Sequence, residues 1–481
     1  MSLTAASRNA LSGLTMASLT TRLISDNIAN SMTPGYGVRS LGLTSDQNGS
    51  GVRILSITRF VDPVLLANLR EADARLGAAS TMSTFMQRLE GVIGLPGEDG
   101  SLSSMVAKFQ ADLLEAASRP DSSIRLDQAV TSASDLVGAI NTAADGVQDL
   151  RNTAEKDIAS QVDRMNELLV SIDEVNETII KTTVTGNSAA ALMDQRQNLI
   201  DELNSIVPVS TVEAENGRVK LYTTGGTLLL DTVPVDVGFT QVNVVTAYAS
   251  IDAGTLYGLT LNGGDVNVDP DSSQLRGGTL MAAFKVRDVT AVEMQNRLDG
   301  LARDLIERFE DAGIDGTRAA GDPGLFTDSG AVLDTSGILG LAQRLELNAA
   351  IDPAQGGETW RLRDGLGATV AGNIGDASLI QDLLGAMDTN RTSPTAIGTG
   401  SYSMTGLTDY VSSLISSERA VAESDQSYAA LQQSEMGALL AAEGVDTDAE
   451  LQTLLVIEQI YAANAQVLET VDAMLATLME I

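Results

Sequence analysis

The sequence contains no cysteine and no histidine among its 481 residues. Without cysteine the chain forms no disulfide bonds and has no thiolate chemistry. Without histidine it lacks the imidazole of most acid–base centres and of the usual zinc sites. Aromatic residues make up only 3% of the chain, and Trp360 is the single tryptophan. These absences exclude most kinds of catalytic centre, so we predict a protein that is not an enzyme and has no cofactor.

Basic residues and long apolar runs are also scarce. The chain has 30 Lys and Arg residues against 64 Asp and Glu residues, which gives a formal net charge of −34. Such a surface repels phosphate backbones, so nucleic acid is not an expected partner. No apolar run is long enough for a transmembrane helix, and the first residues lack the basic region and apolar core of a secretory signal. We expect neither membrane insertion nor export by the general pathway, which leaves a specialised route.

The last 31 residues, 451–481, carry an apolar stripe with helical spacing and contain neither Gly nor Pro. The stripe alternates steps of three and four residues, and one of its positions is Asn464, a residue that can fix the register of a helical seam. Its members are Leu454, Ile457, Tyr461, Asn464, Leu468, Val471, Leu475 and Leu478. Residues 3–28 carry a weaker stripe of the same kind. We therefore predict that the two terminal helices pair with each other.

The segment between Ser122 and Lys181 has no Pro and only two Gly residues. An unbroken helix of this length would measure about 90 Å. Its apolar seam runs to Val147 and, after an apparent shift, resumes at Ile158. A long helix with a narrow stripe is typical of a rod-like bundle.

The pattern changes after Pro208, where short β-type runs are joined by Glu215-Asn216-Gly217 and Gly225-Gly226. This turn chemistry predicts a hairpin or meander. A helical pattern returns over Leu280 to Ala312 and again over Leu407 to Leu440. We predict a mainly α fold with inserted β-rich modules, elongated, with its terminal helices paired as a coiled coil. The predicted divisions are a terminal assembly domain (1–60 and 441–481), a helical bundle domain (61–207 with 279–315 and 401–440), a β-rich inserted domain (208–278) and a mixed inserted module (316–400).

Two segments are partial matches to ligand-binding motifs. Asp265 to Asp271 has the early oxygen spacing of a calcium loop, but Pro270 stands where the loop needs Gly and Arg276 where it needs Glu. Gly365-Leu366-Gly367 continues to Val370 and lacks the third Gly of a dinucleotide loop. We expect an acidic turn at the first segment, and we expect no metal site.

Two further motifs lie at the two ends of the chain. Asn27-Ile28-Ala29-Asn30 is followed by Thr33-Pro34-Gly35-Tyr36, and near the other end the run from Tyr461 to Leu468 is followed by Asp472-Ala473-Met474-Leu475. The first motif resembles the N-terminal signature of the flagellar rod, hook and hook-associated proteins, and the second is similar to the signature at their C-terminal end. The resemblance identifies both sets of residues as candidate assembly residues.

Within this family the helical character of residues 63–205 and the segment 194–203 resemble the hook-associated members of the proximal hook–filament junction. The resemblance implies an extracellular structural protein of the bacterial flagellum, exported by the flagellar type III apparatus. Its implied partners are hook protein, hook-associated protein 3, further copies of itself in a ring, and an export chaperone at the C-terminal helix. Both terminal helices would line the inner tube of the axial structure.

Other interpretations remain open at this point. The terminal signatures are shared by hook and rod proteins, so another axial structural protein is one alternative. A secreted coiled-coil adhesin is a second, and it would not need its termini for assembly. A carboxylate enzyme in an inserted domain is a third, although no motif supports it.

Overall fold

The computed structural model describes residues 3–45, 51–95, 97–311 and 313–479. Three residues that bound the predicted segments 1–60, 280–312 and 441–481 lie outside these ranges, namely Met1, Ala312 and Ile481. The fold is mainly helical with small antiparallel sheets in the middle of the chain, as predicted. The helices are α1 (Leu3–Ala29), α2 (Pro63–Ile93), α3 (Leu102–Ser118), α4 (Ser123–Val184), α5 (Ala190–Ile206), α6 (Gly278–Lys285), α7 (Ala291–Glu310), α8 (Leu341–Arg344), α9 (Arg361–Asp364), α10 (Ser378–Asp388), α11 (Met404–Ala442) and α12 (Thr447–Met479).

The strands are short and pair only with near neighbours in the sequence. They are β1 (Val38–Ser45), β2 (Val52–Phe60), β3 (Val209–Glu213), β4 (Val219–Thr223), β5 (Leu228–Leu230), β6 (Val237–Phe239), β7 (Leu259–Leu261), β8 (Gly264–Val266), β9 (Phe326–Asp328), β10 (Leu345–Leu347), β11 (Arg391–Thr392) and β12 (Ser401–Tyr402). The order β3-β4-β5 confirms the predicted meander, and β6-β7-β8 forms a second one. Strands β1 and β2 form an antiparallel hairpin directly after α1.

Helix α4 is one unbroken element of 62 residues, about 93 Å long at the usual rise. Its predicted apolar positions are buried along both halves. The predicted shift between Val147 and Ile158 was wrong, because Arg151, Ala154 and Glu155 continue the same buried stripe. Two charged residues at core positions interrupt the apolar pattern of the sequence without interrupting the helix face.

The helix starts follow capping chemistry. Asp62 accepts hydrogen bonds from the amides of Val64 and Leu65 at the start of α2, where Pro63 has no N–H to satisfy. Ser101 caps α3 in the same way through the amide of Ser104. These caps satisfy backbone donors that the first turn of a helix leaves unpaired.

Helices α2 and α11 lie antiparallel along most of their length. Glu90 near the end of α2 binds Arg419 in the first half of α11, and Ser80 accepts a hydrogen bond of 3.2 Å from Gln426 further along. On α11 the buried positions from this stretch onward are small, namely Ala422 and Ala429. Small side chains let the two helix backbones approach closely.

The main core lies where α3, α4 and α7 meet. Phe109, Phe309 and Phe326 form a tilted and edge-to-face cluster with ring centroids 5.2 to 6.2 Å apart, and each is at most 2% exposed. Edge-to-face packing is favoured by the charge distribution of aromatic rings. The seven Phe residues of the chain are few, but three of them are concentrated at this one junction.

A buried charged cluster ties the β-rich segment to α4. Glu155 and Arg287 form an ion pair of 2.5 Å in which both side chains are at most 1% exposed. Glu155 also accepts a hydrogen bond from the amide of Val242, while Arg151 donates to the carbonyls of Thr246 and Ala249. Charges buried this deeply need such complete pairing. The cluster therefore fixes the position of the segment 242–249.

The predicted acidic turn forms a series of local bonds in which Asn267 accepts from the amide of Asp269, and Asp269 accepts from that of Asp271. Within the described ranges there is no group of three or more Asp and Glu side chains placed to hold a metal ion. A helix long and apolar enough to cross a bilayer is likewise absent from the described part of the chain.

Candidate assembly interface

The first and last helices of the chain pack side by side in opposite directions. A Cβ atom added at Gly13 of α1 would lie 2.6 Å from Nδ2 of Asn464, so glycine is what lets α12 approach this closely. Further along α1, the side chain of Asn27 donates a hydrogen bond of 2.7 Å to Glu450. Because Glu450 precedes Asn464 in the sequence, the helices run antiparallel, and the start of α1 lies at the same end of the pair as the end of α12.

The apolar contact between these helices is small. Its buried members are Ala17, Ile24 and Ile457, and partly buried Met16, Ile28, Leu454 and Ile460 surround them. The contact has no aromatic side chain and no buried charge within the described residues. A core of this size stabilises the pair weakly, since apolar burial contributes roughly in proportion to the area removed from water.

Five of the eight positions predicted for the stripe face α1. Ile457 and Val471 are buried, and Leu454, Asn464 and Leu468 are half-buried. The other three are not covered by α1, because Tyr461, Leu475 and Leu478 are 49%, 43% and 60% exposed.

Two features of the pair explain these exposed positions. Ile460 packs in the place expected for Tyr461, because steps of three and four residues both stay near one helix face and the partner decides between them. The alignment of Gly13 with Asn464 places Leu475 and Leu478 beyond Leu3, so the described part of α1 does not cover them.

Asn27 joins four parts of the terminal region through one side chain. Its Nδ2 donates to the carbonyl of Arg39 at 2.9 Å and to Glu450 of α12. Its Oδ1 accepts from the hydroxyl of Tyr36 at 2.8 Å and from the amide of Arg39 at 3.1 Å. Asn27 is 1% exposed, and every hydrogen-bonding group of its amide is used. The asparagine therefore fixes α1, β1 and α12 relative to one another.

The turn after α1 is shaped by the second half of the predicted motif. Asn30 caps the helix end through a bond to the carbonyl of Asp26, and Thr33 donates to Asn30. Gly35 has φ +76°, and a Cβ atom there would lie 1.9 Å from Oδ1 of Asn198, so only glycine fits. Burial raises the pKa of the Tyr36 hydroxyl, which therefore stays protonated as the donor to Asn27.

The remaining motif residues lie on the outside of the same turn. Ala29, Thr33 and Pro34 are exposed, and Ile28 is half-buried beside the small core. The predicted motif thus contains two kinds of position, residues that hold the turn together and residues that face outward.

Asp194 of α5 fastens this turn to the helical bundle. Its carboxylate binds Arg39 at 2.7 Å and Arg59 at 2.6 Å, and it accepts a hydrogen bond of 3.0 Å from the amide of Gly37. Arg59 also donates to Gln197 and to the carbonyl of Gly35. Arg39 and Arg59 are direct partners across the β1–β2 hairpin, so one carboxylate can bind both guanidinium groups.

Asp194, Arg39, Arg59 and Glu450 were not predicted as individual site residues. Asp194 lies inside the segment 194–203 that the resemblance singled out, which was the one available signal. Next to it, Arg196 donates to Asn176 and to the carbonyl of Gly217, and burial lowers the pKa of Arg196 to about 10. Asn176 itself is fully buried and pairs with the backbone of Val219.

The terminal region offers exposed apolar surfaces for contact with other chains. Outside the small core, α12 exposes many large apolar side chains, and α11 exposes Tyr428 and Leu431. Those of α12 are Leu451, Leu455, Val456, Tyr461, Val467, Met474, Leu475, Leu478 and Met479. Contiguous exposed apolar surface marks sites of association in soluble proteins.

Comparison with known proteins decides the family. Residues 86–326, half of the chain, match the model described as the helical domain of flagellar hook-associated protein FlgK. The chain belongs to the FlgK family. Residues 437–481, which include all of α12, match the C-terminal model of the flagellar basal body rod FlgEFG proteins. The two matches confirm the predicted family and identify a structural, hook-associated axial protein of the flagellum, which is an extracellular structure.

Similar proteins include two named flagellar hook-associated protein 1. The one from Bacillus subtilis is 23% identical over 406 residues, which cover 76% of this chain and 78% of the relative. The one from Escherichia coli is 23% identical over 327 residues, which cover 66% of this chain and 58% of the relative. A solved structure of the flagellar hook junction protein FlgK from Burkholderia pseudomallei aligns with 54% of this chain and 46% of its own, with 18% identity and a TM-score of 0.45.

Proposed function

We propose that this protein is the proximal adaptor between hook and filament. In this role it docks on hook protein below and on hook-associated protein 3 above, and it forms a ring with further copies of itself. It reaches this position through the flagellar type III apparatus, with a cytoplasmic chaperone on α12 before export.

The observation that carries the proposal is the uncovered apolar flank of α12. Val456, Val467 and Met474 follow one another at helical spacing, lie away from α1, and are 53%, 45% and 52% exposed. In a chain with a net charge of −34, such a flank is costly to leave in water and is well suited to burial between subunits.

The organisation of the chain supports the same role. We propose that 1–60 with 441–481 act as the terminal assembly domain and that the helical bundle and the inserted modules, 208–278 and 316–400, are carried outside it. The predicted assembly residues Thr33, Pro34, Tyr461, Leu475 and Leu478 are exposed in the single chain and would be covered in the assembly. The absence of disulfides fits export of an unfolded chain.

Deletion of the gene tests the proposal. Electron microscopy of the deletion strain should show finished hooks without filaments, and flagellin should accumulate in the medium. Missing hooks would instead assign the chain to hook or rod. Intact, working filaments would contradict an axial role and favour the adhesin alternative.

A variant pair tests the flank itself. Val467→Asp with Met474→Asp places two charges on the apolar flank and should abolish filaments in the deletion strain. The control is Gln459→Asp with Gln466→Asp, which adds the same charge at exposed polar positions of the same helix. Equal loss of filaments in both variants, or in neither, would show that the flank is not the contact surface.

A further inference from the structure

The two ends of this acidic chain carry opposite charges. Residues 1–60 contain five Arg and two Asp residues, a net charge of +3, whereas residues 441–481 contain eight acidic residues and no basic one. A segment of net positive charge is exceptional in a chain with a net charge of −34. On the two terminal helices themselves, α1 contributes Arg8 and Arg22, and α12 contributes the exposed carboxylates Glu458, Glu469 and Asp472.

Between Arg8 and Arg22 the outer face of α1 is a regular stripe without any acidic residue, and Asp26 follows on the same face, half-buried. Arg8, Leu11 and Arg22 lie on it together with Ser and Thr residues, and all of them are exposed. Arg8 and Arg22 form no ion pair with any described residue of their own chain. The two guanidinium groups are 14 positions apart, which corresponds to about 21 Å along the helix.

One flank of α12 has the complementary pattern. Glu458, Glu469 and Asp472 are exposed, lie on the same side of the helix, and have no ion-pair partner among the described residues. Glu458 and Asp472 are also 14 positions apart, so their spacing equals that of the two arginines. The apolar flank with Val456 and Val467 lies on the other side of the same helix.

The antiparallel pairing sets these charges at matching heights. The alignment of Gly13 with Asn464 and of Asn27 with Glu450 places Arg8 level with Glu469 and places Arg22 within one helical turn of Glu458. Within one chain the two sets point in different directions and do not meet. In a closed ring neighbouring copies stand at equal height, so the arginines of one copy can face the carboxylates of the next.

We propose that Arg8 and Arg22 of one copy bind the acidic flank of α12 in a second copy, with the acceptors Glu458, Glu469 and Asp472. The contact is heterologous and therefore sets the direction in which the ring closes, because two α12 flanks repel each other whereas α1 and α12 attract. The inference rests on the proposed function, which supplies the ring.

Mixed charge reversal tests this contact. One full-length chain carries Arg8→Glu and Arg22→Glu, and the other carries Glu458→Arg, Glu469→Arg and Asp472→Arg. Each chain alone has equal charges on both faces, so filament-bearing cells of the deletion strain should fall by about tenfold or more. When the two chains are produced together, every contact between unlike chains joins opposite charges, and filaments should return.

The outcomes separate this inference from the proposed function. Normal filaments with either chain alone would overturn the contact. Loss of filaments that the mixture does not repair would also count against it, because it would place these charges against a different protein. The phenotype of the plain deletion decides the proposed function independently of both results.

Cysteine pairs give a second measurement that needs no charge reversal. The chain has no cysteine, so Arg8→Cys with Glu469→Cys introduces the only thiols. Oxidised flagella should yield disulfide-linked multimers of the chain. The control, Arg8→Cys with Val467→Cys, places the second thiol at the same height on the opposite flank and should yield none. Multimers from the control alone, or from neither pair, would overturn the proposal.

Discussion

The terminal helix pair and the helical bundle are built from similar helices but are stabilised in different ways. The bundle closes around three Phe rings and buries complete ion pairs such as Glu155 with Arg287. Between α1 and α12 the apolar core is the small cluster around Ala17, Ile24 and Ile457, and polar contacts around Asn27 hold one end of the pair. The bundle can be stable by itself, whereas the pair keeps much of its apolar surface available for other chains.

We infer from this difference that the helical bundle is stable within a single chain, whereas the pair of α1 and α12 becomes fully stable only in the assembly. Regions with few buried apolar contacts open at lower free energy than the core of the same protein. The outer part of α12 has few such contacts, because Leu475 and Leu478 are uncovered. An assembly protein gains from this arrangement, since surface that is not buried within the chain can be buried between chains.

The largest effect should come from the aromatic cluster of the bundle. Phe109→Ala removes a fully buried ring that contacts Phe309 and Phe326, and it should lower the free energy of unfolding by about 3–5 kcal/mol. Leu114→Ala on the same helix is the control, because Leu114 is 63% exposed and its loss should change stability little. Urea unfolding followed by circular dichroism measures both; equal destabilisation would contradict the assignment of the main core.

A smaller and local effect is expected in the terminal pair. Ile457→Ala removes the buried side chain that α12 contributes to the small core, and it should weaken the pair by about 2–5 kcal/mol. Hydrogen exchange in α1 and α12 should accelerate, while exchange in α4 should not change. Leu455→Ala, at a position 60% exposed on the same helix, should alter neither. Faster exchange in α4 after Ile457→Ala would mean that the pair and the bundle unfold as one unit.

Substitution of Asn27 tests the hydrogen bonds that join α1 and α12 to the turn and strand β1 beside the bundle. Asn27→Ala removes four hydrogen bonds and leaves buried groups of Arg39 and Tyr36 without a partner, so the turn should lose about 1–3 kcal/mol. Limited proteolysis should then cut between α1 and β1. Asn30→Ala removes an asparagine of the same motif that bonds only within its own turn. If both variants resist proteolysis as the native chain does, the fastening role of Asn27 is wrong.

The sequence predicts best what depends on local spacing. The terminal helices α1 and α12 follow from the apolar stripes of residues 3–28 and 451–481. The pairing of the ends was also predictable, because both stripes lack a partner within their own segments. The choice of Ile460 over Tyr461 was not, since it depends on the side from which α1 approaches.

Long-range polar contacts were beyond prediction from one sequence. Asp194 binds Arg39 across 155 positions of the chain, and no periodicity connects them. Arg151 and Glu155 were hidden for a related reason, because charged residues at core positions look like a break in the stripe. Their burial is possible only because the segment around Val242 and Ala249 supplies backbone partners.

The smallest expected effect is a pH dependence of stability that is present in the bundle and absent from the terminal pair. Asp299 in the bundle accepts hydrogen bonds from the amides of Gly340 and Ala342, and burial raises its pKa above the ordinary 3.8. The folded state therefore binds this proton more tightly than the unfolded state. The resulting stabilisation is complete below pH 3.8 and is lost as pH rises through the raised pKa.

A variant that does not titrate isolates this contribution. The difference in unfolding free energy between the native chain and Asp299→Asn should grow by on the order of 1 kcal/mol as pH falls from about 7 to about 4. Hydrogen exchange in α12 should show no such difference between the two proteins, because no charged side chain is buried in the described part of the terminal pair. If the difference in unfolding free energy shrinks on acidification, the hydrogen bonds from Gly340 and Ala342 outweigh burial. The Asp299 carboxylate then stabilises the bundle in its ionised form.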